Sequence, residues 1–70
     1  MTSLPLRGEF VTLGQAVKIA GLAETGGQAK LLVRGGTVRV NGEVVTQPGK
    51  KLRRGDRFES GDGQEWVLTE

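Results

Sequence analysis

Seventy residues with no cysteine and no histidine make one domain at most, and they exclude a disulfide framework, a thiolate or imidazole metal site and histidine-based acid–base chemistry. The formal net charge of +2 conceals a division: residues 18–57 carry nine basic side chains against three acidic ones, and residues 58–70 carry four carboxylates and no base. A basic middle of this kind predicts an anionic partner, with an acidic tail that limits non-specific attachment.

Residues 1–5 are expected to be loose, because Pro5 discourages regular structure. Leu6 to Val11 reads as a short extended lead-in. No long apolar run opens the chain, which predicts neither a leader peptide nor a membrane span, and therefore the cytoplasm. Thr12 and Gln15 have capping-box spacing. Leu13, Ala16, Val17 and Ala20 then share one face of a helix that Gly21 ends. Lys18 falls roughly opposite that face.

Thr25 and Gln28 repeat the capping-box spacing and start a second helix. The box occupies the Gln28 amide and leaves those of Gly26 and Gly27, which carry no side chains, open to a phosphate. Ala29, Leu32 and Val33 form the apolar face. Gly27, Lys30 and Arg34 form the other. Gly35-Gly36 stops the helix. Neither helix is long enough to persist alone in water, so each must pack on the other or on strands.

Val38 and Val40 alternate with Arg39 and Asn41, the pattern of a half-buried strand. Asn41-Gly42 is a strong hairpin signal, with Glu43 to Thr46 as the return strand. Gln47-Pro48-Gly49 is a turn. In Lys50-Lys51-Leu52-Arg53-Arg54-Gly55-Asp56 only Leu52 can be buried without a charge penalty. Arg57-Phe58-Glu59 is a strand with Phe58 inward, Gly61-Asp62-Gly63 a turn, and Gln64 to Thr69 a strand with Trp66 and Leu68 on one face. The sum is an α+β fold: two helices packed against a small, mostly antiparallel sheet. Both aromatic residue types, Phe and Trp, are expected inside, so readout by base stacking is not expected.

No catalytic arrangement stands out. Ser3 and Ser60 have no histidine partner. Gly49-Lys50 lacks the Ser or Thr and the spacing of a nucleotide-gripping loop. The carboxylates are scattered, and no cofactor is implied. The sequence predicts a non-enzymatic protein.

The basic residues each have an ordinary explanation. Lys50, Lys51, Arg53 and Arg54 suit a solvated strand edge. Arg34 suits a helix C-terminus. Their coincidence with a bare helix start in so small a unit instead predicts one concave anionic site containing Lys30, Asn41 and Lys51.

The run Leu13 to Gly42, with Lys18, Gly26-Gly27-Gln28-Ala29-Lys30, Gly35-Gly36 and Val38-Arg39-Val40-Asn41-Gly42, resembles the RNA-binding domain first known from small-subunit ribosomal protein four. Together with Lys50-Lys51-Leu52-Arg53-Arg54-Gly55-Asp56, it looks like the small stand-alone bacterial members of that family, the YbcJ-like proteins. The resemblance covers residues 6–59 and leaves 60–70 as an added C-terminal strand pair of a single domain spanning 1–70. It implies the alpha-L arrangement of two helices on a curved sheet, binding structured RNA of the ribosomal or transfer RNA class as a monomer, in association with the ribosome. The contacts it implies are Gly27, Gln28, Lys30, Arg34, Arg39, Asn41 and Gly42, with Lys18, Lys50, Lys51 and Arg53 extending the surface and the Gly26 amide joining them. Many members have Ser-Arg where this chain has Gly26-Gly27, so backbone amides would replace an arginine contact. The alternative is a protein-docking module, on the ribosome or another acidic partner, using the same basic surface.

Overall fold

A computed structural model describes residues 1–69. In chain order the elements are β1 (Thr2–Pro5), β2 (Val11–Thr12), α1 (Leu13–Ile19), α2 (Gly26–Arg34), β3 (Arg39–Val40), β4 (Glu43–Val44), β5 (Lys51–Leu52), β6 (Arg57–Glu59) and β7 (Glu65–Thr69). Five strands form one sheet in the order β1-β7-β6-β3-β4, and β2 pairs with β5 separately. Among the described residues only the β1–β7 pair is parallel; the other pairs are antiparallel. The α+β class with a mostly antiparallel sheet is as the sequence predicts. No helix among the described residues is long and apolar enough to cross a membrane.

Both helix starts follow from their caps. At α1 the Gln15 amide donates to Thr12 Oγ1 at 3.2 Å and the Thr12 amide to Gln15 Oε1 at 3.0 Å, a complete capping box. At α2 the Gln28 amide donates to Thr25 Oγ1 at 3.1 Å, but the Gln28 side chain accepts from the Glu24 amide at 2.9 Å rather than from Thr25. The second box therefore reaches one residue further back than its spacing predicts. The amides of Leu13 and Gly14, orphaned by the helix start, donate to the carbonyls of Lys50 and Pro48 at 2.8 and 2.9 Å. This bonding seats the 47–50 turn on the beginning of α1.

Both helices meet the same apolar core. Leu13, Ala16 and Val17 of α1 and Ala29 and Val33 of α2 are fully buried, and the two helices contact each other. From the strands come Val38, Val40, Leu52, Phe58, Trp66 and Leu68. Phe58 and Trp66 lie opposite each other in the β6–β7 ladder, with rings stacked 5.3 Å apart. Trp66 is thus a core residue, as expected. Among the described residues no polar or charged one is buried.

Three expectations need correction. Residues 2–5 are not loose: they form β1, parallel to β7 from Thr2 opposite Trp66 to Pro5 opposite Thr69, and Leu4 enters the core. Pro5 is compatible because it ends an edge strand, where a missing N–H breaks no inner ladder. The return strand after Asn41-Gly42 is Glu43–Val44 and does not run to Thr46. Residues 60–69 supply one turn and one strand, β7, which lies inside the sheet between β1 and β6 rather than adding a pair of strands.

Candidate nucleic-acid interface

Helix α2 presents its basic residues because its apolar residues are used inward. Ala29 and Val33 are buried, while Lys30 and Arg34 are exposed. Lys18, in the last turn of α1, is likewise exposed. The α1–α2 pairing brings two of these cations to one place. A groove of about 380 Å³ is lined by Lys18 and Gln15 of α1, Gly26 and Lys30 of α2, and Pro48 and Gly49 of the turn seated on α1. Among the described residues no carboxylate lines it.

Its floor includes the open start of α2. The first amides of a helix have no partner within it. A Cβ built on Gly26 meets nothing within 4 Å, and one on Gly27 meets only Thr25 Oγ1 at 3.9 Å. The fold therefore has room for a side chain at both positions, and packing alone does not demand glycine.

The other predicted residues are distributed around this groove. Lys50 lines a second groove with Asn41, Glu43 and Gln47, while Pro48 and Gly49 of the same turn line the first. Arg39, Asn41 and Gly42 line a third with Arg57, and there Glu59 and Glu65 oppose the cations. Gln28 faces a mainly apolar groove with Leu22, Leu31 and Leu32. Lys51 places its Nζ 4.7 Å from the centroid of Phe10. Arg34 and Arg53 are exposed and line none of these grooves. The single hollow expected to hold Lys30, Asn41 and Lys51 together is thus replaced by neighbouring grooves.

Asn41 also has an internal task. Its φ of 51° and that of Gly42, 86°, make the two-residue turn, the left-handed pair that Asn-Gly favours. Its Oδ1 accepts from the Arg57 amide at 3.0 Å and its Nδ2 donates to Asp56 Oδ1 at 3.2 Å. Asp56 Oδ2 in turn accepts from the Arg53 amide at 2.7 Å. The side chain singled out for contact with a partner is therefore also a brace between two turns.

Sequence reasoning missed Phe10. It is 40% exposed rather than inside, on the segment before β2. Its neighbours in sequence, Gly8, Glu9 and Val11, gave no alternation to signal which way it points.

The comparisons with known proteins agree with this architecture. The model of the S4 domain matches residues 4–68. Over 51 residues the chain is 41% identical to a protein of Bacillus subtilis strain 168 described as "Probable ribosome maturation protein RlbA", an alignment covering 73% of this chain and 72% of that protein. The match to the S4 model takes in the second half of β1 and most of β7 as well as the helices, and the chain belongs to the S4 domain family.

Proposed function

We propose that this chain binds structured RNA, of the ribosomal or transfer RNA class, through the basic face centred on Lys18, Lys30 and the start of α2. The observation that carries this reading is the groove in which two lysines and Gly26, at the start of α2, meet with no carboxylate among the described residues that line it. Lysine ammonium groups neutralise phosphates, and amides at a helix start donate to one. Gly26 and Gly27 let a phosphate approach the backbone closely. Lys50 extends the surface along the neighbouring groove, and Lys51, Arg34, Arg39, Arg53, Gln28, Asn41 and Gly42 supply outlying contacts.

Membership of the S4 domain family supports an RNA partner, and the similarity to a protein named for ribosome maturation supports a ribosomal one. The protein acts as a monomeric, non-catalytic cytoplasmic module of one domain, in the alpha-L arrangement. Its recognition rests chiefly on RNA shape, read through phosphates and 2′-hydroxyls.

A titration against an RNA hairpin, duplex DNA of equal length and polyglutamate tests the proposal. Preference for RNA is expected. Equal affinity for all three would overturn it and favour docking on an acidic protein.

A further inference from the structure

We propose that Phe10, with Lys51 over its ring, is a stacking platform for an unpaired base of the same RNA. This rests on the RNA-binding reading and adds a second ligand class to it: a nucleobase beside the phosphates. Phe10 is 40% exposed, and nearby Ile19 on the outer side of α1 is 63% exposed. Both line a groove of about 740 Å³ with Leu4, Pro5, Leu6 and Val11, so its walls are largely apolar.

Three features select a nucleobase as the occupant. First, the groove adjoins the basic one, with Gln15 and Lys18 lining both. A strand whose phosphates lie along Lys18 and Lys30 can place its next base against Phe10. Second, among the described residues the charged ones lining the groove are Arg7 and Lys18, both cationic, and Lys51, outside the lining, holds its Nζ 4.7 Å from the centroid of the Phe10 ring. An apolar slot rimmed by cations complements a base flanked by phosphates. Third, an aromatic face beside a cation is the usual construction for holding bases without regard to sequence. Phe58 and Trp66 are stacked on each other in the core, which leaves Phe10 as the aromatic ring available outside.

The test compares an RNA hairpin carrying a five-base loop with a blunt RNA duplex of equal length, against the full chain and its Phe10→Leu, Phe10→Ala and Phe10→Trp variants. Circular dichroism melts confirm that each variant folds. Phe10→Leu keeps an apolar side chain and removes the π face, so it separates stacking from simple burial. For Phe10→Leu and Phe10→Ala the expected result is about a tenfold loss of hairpin affinity, with duplex affinity unchanged. Phe10→Trp should keep hairpin affinity. A 2-aminopurine in the loop should change its fluorescence on binding wild type and not on binding Phe10→Leu.

Unchanged hairpin affinity in both Phe10→Leu and Phe10→Ala would overturn the platform while leaving phosphate binding intact. If those variants bound both RNAs normally but no longer sedimented with ribosomal particles, the groove would be a protein-docking site and the inference would be wrong. Failure of the wild type to bind either RNA would instead overturn the RNA-binding reading, and this inference with it.

Discussion

Asn41 Nδ2 donates to Asp56 Oδ1 across fifteen residues of chain, at 3.2 Å. The bond ties the β3–β4 turn to the turn between β5 and β6. Asp56 holds the second turn with its other oxygen, accepting from the Arg53 amide, while Asn41 Oδ1 accepts from Arg57. The Gly55 amide and the Asp56 carbonyl then bond Leu68 of β7. Two turns and an inner strand of the sheet are thereby fixed to one another.

Replacing Asn41 by Ala should therefore be more disruptive than its exposure suggests. Two hydrogen bonds are lost, at about 1 kcal/mol each, and a left-handed residue costs roughly another 1–2 kcal/mol without Asn or Gly. Asn41→Gly should recover the backbone part and not the hydrogen bonds. Urea denaturation of the two variants reads the difference. Equal destabilisation would show that the positive φ contributes nothing.

Gly26→Ala and Gly27→Ala should raise thermal stability and weaken RNA binding. Each position has space for a methyl group, and alanine in place of a compatible glycine stabilises by about 0.4–1 kcal/mol. The same methyl groups stand between a phosphate and the helix-start amides. A raised melting temperature with unaltered RNA affinity would remove those amides from the proposed site.

The two basic residues of α2 should behave differently. Lys30 lines the cationic groove and Arg34 does not. Lys30→Glu should lower RNA affinity on the order of tenfold, or about 1.4 kcal/mol, and Arg34→Glu by clearly less. Both residues are exposed, so melting curves should stay nearly the same. Filter binding at low salt distinguishes the two, and an equal or larger effect at Arg34 would move the site away from the groove.

Asp62 should give the protein a small acid-sensitive contribution. The Ser60 hydroxyl, first, and the Gln64 amide, second, hold its carboxyl below the usual range. A group whose pKa is lowered by folding stabilises above its unfolded pKa and loses that contribution as pH falls through the folded one. The melting-temperature gap between wild type and Asp62→Ala should thus be full at neutral pH and close below about pH 4. A gap independent of pH would assign the effect to the turn backbone.

Much of the fold could be read locally. The cap pairs Thr12–Gln15 and Thr25–Gln28, the glycine after each helix and Asn41-Gly42 all act within a few residues, and each marked its element. Gly36, with a φ of 78°, takes the left-handed position after α2. What escaped was nonlocal. β1 forms only because β7 arrives beside it from the far end of the chain, and Pro5 argued locally against a strand. The bridge from Asn41 to Asp56 likewise depends on how two turns meet. At the candidate site, the exposure of Lys18 and Lys30 followed from helical periodicity. Their shared groove needed the seating of the 47–50 turn on α1, and the outward position of Phe10 had no periodic signal at all.

The central claim is that Lys18 and Lys30 neutralise RNA phosphates in one groove, and the salt dependence of hairpin affinity measures it most directly. With about five phosphate contacts, log affinity should fall against log salt with a slope of roughly −3.5 to −4.5. Lys18→Ala and Lys30→Ala should each flatten that slope by about 1. Slopes in both variants that match the wild type would contradict the claim.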